Sequence, residues 1–141
     1  MRQPRRIAAC ALAFVLTACT HTANLASATA RVVNGNAVVE VALDQRDVRV
    51  IKDRELYFSI VLVECADKSK KFPLQPYLGG KMIEGGNFPR ADSTTVYGTM
   101  PERNFRRYAK PCVLLEGGGY FSGKLSSRTV PVMLATAKKG E

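Results

Sequence analysis

Apolar and polar residues alternate along much of this chain, and the alternation predicts strands. Val39, Val41 and Leu43 are offset from Glu40 and Ala42 with the period of a half-buried strand. Asn34-Gly35 ahead of them is a tight-turn signal. Asp44-Gln45-Arg46-Asp47 breaks the run, residues 48–51 read as a short strand, and Lys52-Asp53-Arg54 turns the chain again. The strongest segment is "ELYFSIVLVEC", residues 55–65. Leu56, Phe58, Ile60 and Leu62 fall on one face, and Tyr57, Ser59, Val61, Val63 and Cys65 on the other. Both faces are mainly apolar, with aromatic and β-branched residues frequent, so the segment reads as a strand covered on both sides. A buried helix is the alternative, and the residue types disfavour it.

Further on, Lys68 to Lys71 is a charged turn, and Pro73 and Pro76 make residues 72–78 an edge or an extended stretch. Gly79-Gly80 leads into a hairpin over 81–84, residues 85–92 are loop, and 93–100 is a strand around Val96 and Tyr97. "PERNFRRYAKP", residues 101–111, has room for one helical turn between its prolines. Residues 112–116, 120–125 and 129–134 read as closing strands, with Gly117-Gly118-Gly119 as a bend or bulge between the first two. Pro131 has no amide to donate, which makes the last of them an edge. No segment keeps a helical period over four turns, and no repeat is visible. Closely spaced strands with Gly and Pro turns predict an all-β fold, a small antiparallel β-sandwich or open barrel of about seven to eight short strands. An immunoglobulin-like sandwich is disfavoured, because there is no Trp to cover a bridge and the two candidate cysteines sit at strand ends.

The first residues differ in kind. Arg2, Arg5 and Arg6 precede an apolar run, residues 7–16, whose one non-hydrocarbon group is the Cys10 thiol. Spanning a bilayer takes about 20 apolar residues, so this run has the length of a secretory signal core and not of a membrane helix. It ends in Leu16-Thr17-Ala18-Cys19. That order resembles the lipobox of bacterial lipoproteins, and the resemblance covers residues 1–19. It implies that 1–18 is a signal peptide removed before Cys19, and that Cys19 carries a diacylglycerol on its thiol and an acyl chain on its amine. Cys10, inside the apolar run, is discarded. Two or more acyl chains hold a protein firmly to a bilayer where one does not. Thr20 follows in place of the Asp that tends to retain such proteins in the inner membrane. The resemblance therefore implies the outer membrane's inner leaflet, facing the periplasm, in a Gram-negative cell. In a Gram-positive cell it implies the outer face of the single membrane.

On this reading residues 19–30 are the lipidated cysteine and a flexible tether, 31–135 a single β-domain, and 136–141 a tail. His21, the one histidine, falls in the tether as a bystander. The whole chain carries a formal charge of +9, and it stays basic after the three leader arginines are lost. Such a surface suits anionic partners, here lipid headgroups or an acidic envelope protein and not nucleic acid. Cys65 and Cys112 are an even pair, read as a disulfide in an oxidising compartment; two free thiols are the rival reading. No C-x-x-C metal spacing occurs, and neither a metal nor a cofactor is expected beyond the lipid on Cys19.

Motifs for chemistry are few. Gly118 through Gly123-Lys124 matches most of the phosphate-binding G-x-x-x-x-G-K-[ST] loop, but Leu125 replaces the magnesium-holding hydroxyl and a strand follows where a helix is required. A nucleotide is therefore disfavoured. Glu55, Glu64, Glu84 and Glu116 sit at strand edges, spaced as solubilising charges are. With His21 in the tether, no nucleophile–histidine pair is left inside the domain, so no catalytic residue is assigned. The candidate binding surface is two basic clusters flanking the cysteines. Lys68, Lys70 and Lys71 form one, and Arg103, Phe105, Arg106, Arg107, Tyr108 and Lys110 the other. A disulfide would bring them toward one end of the domain, and arginine beside aromatics is a composition favoured in protein contacts; a solvated charged loop is the plain alternative. The expected function is a lipid-anchored, non-catalytic binding or accessory module of the envelope. Its rival is an inhibitor or immunity protein against a periplasm-acting hydrolase or toxin.

Overall fold

The computed structural model describes residues 19–85, 87–89, 94–119 and 123–135. The expected signal peptide, the 136–141 tail and part of the 85–92 loop lie outside them, as do Tyr120 and Phe121, read as the start of a strand. The described chain is all-β with two short helices, in the order β1 (Thr20–Ala23), β2 (Ser27–Val33), β3 (Asn36–Ala42), α1 (Gln45–Asp53), β4 (Tyr57–Glu64), β5 (Phe72–Leu74), β6 (Tyr77–Leu78), β7 (Lys81–Met82), β8 (Thr95–Pro101), α2 (Glu102–Phe105), β9 (Pro111–Gly119), β10 (Gly123–Ser127) and β11 (Val130–Leu134). The strands join in one sheet, β1-β10-β9-β11-β2-β3-β8-β6-β7, with β4 and then β5 on the other side of β9.

The sheet is open and curls around one core. β9 holds β4 along its length on one edge. Its other edge takes β10 opposite Glu116 to Gly119 and β11 opposite Cys112 and Val113, after which β11 leaves to pair with β2. The short run from β5 to β6 carries the chain from β4 to β8. The alternations read from the sequence fill the interior as expected. Ala37, Val39 and Val41 of β3 are buried, and so are Phe58, Ile60 and Leu62 of β4. The opposite face of β4 is covered as well, because Val61 and Val63 cluster with Cys112, Leu114 and Cys65.

Four expectations need correction, the first being the edge assigned to the Pro131 strand, since β11 lies between β9 and β2. Among the described residues eleven strands replace about seven to eight, and the pairing is mixed, with β1 parallel to β10 and β11 parallel to β2. Several of the extra strands, such as β6 and β7, are two residues long, too short to show a period. The segment read as a tether is sheet from Thr20 onward, in β1 and β2. Its small residues, which resemble a linker, are instead the methyl groups of a close-packed layer, with Ala23, Ala28 and Ala30 buried beside Leu25. Residues 48–51 are helical and not extended. The Asp44 side chain caps α1 by accepting from the Arg46 amide at 2.7 Å, and Asp47 and Ile51, one turn apart, face inward.

Asp47 also overturns the reading of His21. It is the one buried charged side chain among the described residues, 3% exposed. His21 Nε2 donates to its Oδ1 at 2.8 Å, and the Asn24 amide donates to its Oδ2 at 2.8 Å. The carboxylate thus satisfies one group of β1 and one just past its end, and fastens β1 to α1. Cys65 and Cys112 are bonded, with Cα atoms 5.0 Å apart and a sequence separation of 47, and they tie the end of β4 to the start of β9.

Two stability outcomes follow. His21→Ala leaves Asp47 Oδ1 buried without its donor and lowers the unfolding free energy by about 1–3 kcal/mol, read as a fall in denaturant midpoint at unchanged slope. Cys65→Ser with Cys112→Ser costs about 3–4 kcal/mol in the chain-entropy model, read the same way against the oxidised parent.

Candidate functional site

The disulfide end carries a cleft of about 410 Å³, lined by Glu64, Asp67, Lys70, Phe72, Met100, Asn104, Arg107 and Tyr108. It forms where β4 ends, because Glu64 turns back on the segment after α2. Its two oxygens accept from the Ala109 amide at 2.9 Å and the Lys110 amide at 2.8 Å. The Cys65 amide donates to the Lys110 carbonyl at 2.9 Å, and the neighbouring disulfide fixes the same corner. Phe105 holds α2 down from beneath, buried in the main core.

The two basic clusters meet in part. Lys70 from one, and Arg107 and Tyr108 from the other, line this cleft together. Lys68, Arg103 and Lys110 are exposed outside its lining. Two cations are already committed, Lys71 to Glu116 and Arg106 to Glu102, whose Oε1 accepts from the Arg106 Nε at 2.7 Å. Phe105 is corrected from surface contact to core. Five of the lining residues, Glu64, Asp67, Phe72, Met100 and Asn104, lie outside the expected surface. Phe72 and Asp67 sit within a few residues of the Lys68–Lys71 turn and were within reach of sequence reasoning. Met100 and Asn104 arrive through the β8–α2 corner, for which the sequence carries no signal.

The electrostatics are mixed. The Ser69 hydroxyl, and then its amide, donate to Asp67 and hold its carboxyl below the ordinary range; burial opposes this, and the Lys70 charge adds the least to the lowering. Burial first, and the Glu64 charge second, raise the Tyr108 phenol above its ordinary value. The cleft thus offers two cations, two carboxylates already engaged by local amide and hydroxyl donors, a protonated phenol, and the apolar bodies of Phe72 and Met100 beside them.

A second, more acidic groove of about 620 Å³ lies at the other end of β4, where Tyr57, Ser59, Gln75, Glu84 and Glu116 gather beside Gly117 and Gly118. Lys71 partly offsets its charge through Glu116. Gly118 and Gly123-Lys124, the near-match to a phosphate loop, lie in β9 and β10 and face each other across a strand pair. The glycine run read as a bend belongs to β9 up to Gly119. A Cβ on Gly117 would come within 1.9 Å of the Tyr57 carbonyl, so the close approach of β4 requires glycine there. Among the described residues no group of three or more His, Cys, Asp or Glu side chains is placed to hold a metal ion. No helix described is long and apolar enough to cross a membrane. No family model matches the chain, and comparisons with curated proteins and with solved structures find no match.

A raised phenol pKa has a defined sign. The unfolded chain releases the proton more readily, so the contribution is present below the unfolded value near 10.0 and is lost as pH climbs through the higher folded value. In an NMR titration of the tyrosine ring carbons, Tyr108 has its midpoint above that value. Glu64→Gln lowers the midpoint without bringing it all the way back, since burial, the larger cause, remains; an unmoved midpoint would show that Glu64 does not act on it.

Proposed function

We propose that the chain is a lipid-anchored envelope lipoprotein, held to its membrane through Cys19, that acts by binding a protein partner and not by catalysis. The observation that carries the binding reading is the disulfide-end cleft, where Lys70, Arg107 and Tyr108 meet beside Phe72 and Met100. Arginine and tyrosine over an apolar floor are the composition of contact centres between proteins, and the cations suit a partner whose surface carries carboxylates. The Leu16-Thr17-Ala18-Cys19 signal supports the anchor. The Cys65–Cys112 bridge supports an oxidising compartment. In a Gram-negative cell this is the periplasmic face of the outer membrane.

The inhibitor or immunity reading is favoured by one feature, the stiffness of the segment after β8. Its backbone is held by Glu64 and Cys65, and its root by Phe105. Arg103, Arg106 and Arg107 stand exposed on this fixed backbone. A loop ordered before binding loses little entropy on binding, which is what occupying an enzyme cleft demands.

In cells, Cys19→Ser moves the protein to the soluble fraction or leaves an uncut precursor; unchanged membrane fractionation refutes the lipid anchor. A photocrosslinker at Arg107 of the lipidated chain captures the partner in the envelope. A hydrolase or toxin selects the inhibitor reading, and assembly or transport components select the accessory one. Lys70→Glu with Arg107→Glu lowers capture at least tenfold while the domain stays folded, and undiminished capture refutes the cleft as the contact.

A further inference from the structure

The two ends of β9 are chemically different and far apart. Cys112, beside the cleft of Lys70 and Arg107, pairs with Pro131, whereas Gly119 at the other end pairs with Gly123. Seven residue steps at about 3.3 Å each put roughly 23 Å between these ends. Cys19 lies at the Gly119 end. A Cβ on Gly123, where φ is 98°, would meet the Cys19 carbonyl oxygen at 2.1 Å. From the next residue the chain is already sheet, with β1 registered to β10 from Thr20↔Lys124 to Ala23↔Ser127. His21 and Asn24 fasten the same segment to Asp47. No free residue separates Cys19 from the folded body.

Around Cys19 the surface is open. Tyr57 is 57% exposed, and Tyr57, Gly117, Gly118, Gly119, Gly123 and Lys124 line a shallow depression beside it. Lys124 and Cys19 are both exposed. Just ahead of Tyr57, Lys52 and Arg54 alternate with Asp53 and Glu55, and the groove that holds Glu84 and Glu116 shares Tyr57, Gly117 and Gly118 with this depression, so no basic patch surrounds Cys19. The orientation is therefore set by where the anchor joins the sheet and not by the field of a basic patch.

We propose that this end of the domain rests directly on a phospholipid surface, with Lys124 at the phosphates and Tyr57 at the headgroup level, and that the cleft of Lys70, Arg107 and Tyr108 is held about 2 nm out, facing the aqueous side. The inference rests on the lipid-anchor reading and adds a fixed height and direction to it. A tethered domain would sample many orientations; a domain whose first sheet residue follows its lipidated residue does not.

The test uses the lipidated chain in vesicles of phosphatidylethanolamine and phosphatidylglycerol, with the native disulfide oxidised. Fluorophores are attached at Lys124→Cys or, as a second membrane-side site, Tyr57→Cys, and at Lys68→Cys on the far end. Lipids carrying a nitroxide on the headgroup then quench the membrane-side labels several-fold more than the label at 68, and a long Gly-Ser insert between Cys19 and Thr20 evens the three. Equal quenching in the chain without the insert overturns the orientation. A mature mass lacking acyl groups on Cys19 overturns the lipoprotein reading, and the orientation with it, so the two failures are told apart.

Discussion

Everything in this fold is arranged around one strand with more neighbours than a strand ordinarily has. β9 gives one whole edge to β4 and divides the other between β10 and β11. A strand has one row of donors and acceptors on each edge, so the division works only because β10 and β11 follow each other along it. The glycines at its far end let the backbones close. At Gly117 any side chain would run into the Tyr57 carbonyl. At the near end the disulfide locks β9 to β4, and the Glu64 carboxylate locks the loop that feeds it. Cleft, bridge, acidic groove and amino-terminal strand are all positioned from this one element.

What the sequence disclosed follows from this layout. The long interior strands β3 and β4 were legible because burial on one or both faces leaves a period in the residues. The cysteine pair was legible because a bridge between strand ends needs only two thiols in an oxidising setting. The amino-terminal segment was not. Ala23, Ala28 and Ala30 are buried, and alanine carries the same signature in a packed sheet as in a linker. α1 was missed because Val48, Val50 and Ile51 are strand formers by type. The determinants of the helix are an Asp44 cap and the partnering of Asp47, and the latter is settled by His21, 26 positions away. Parallel pairing of β1 and β2 with strands from the opposite end of the chain leaves no local trace at all.

The candidate site divides in the same way. Local composition named Lys70, Arg107 and Tyr108, and the bridge brought them to one cleft. Composition also named Phe105, whose ring the fold uses for the core, and Arg106 and Lys71, whose charges are met by Glu102 and Glu116. Both pairs are solvent-exposed, so each contributes little to stability. Their consequence is selective, since they withdraw two cations from the basic surface and leave Lys70 and Arg107 at the cleft.

Stiffness gives the molecule its direction. A binding surface on a tether gains reach but loses orientation, and its effective concentration at a fixed partner falls as the linker lengthens. Here β1 is sheet from its first residue and is clamped by a buried carboxylate, while β9 runs without interruption to the disulfide. The sheet therefore acts as a short strut between the end that bears Cys19 and the end that bears the cleft. Its stability comes from contacts spread along the strut, in a core shared by both ends. Loosening either clamp would affect where the cleft points as well as how firmly the domain is folded. Asp47 costs desolvation, and its partners recover that cost by fixing the amino-terminal strand, which hydrophobic contacts among alanines alone would hold weakly.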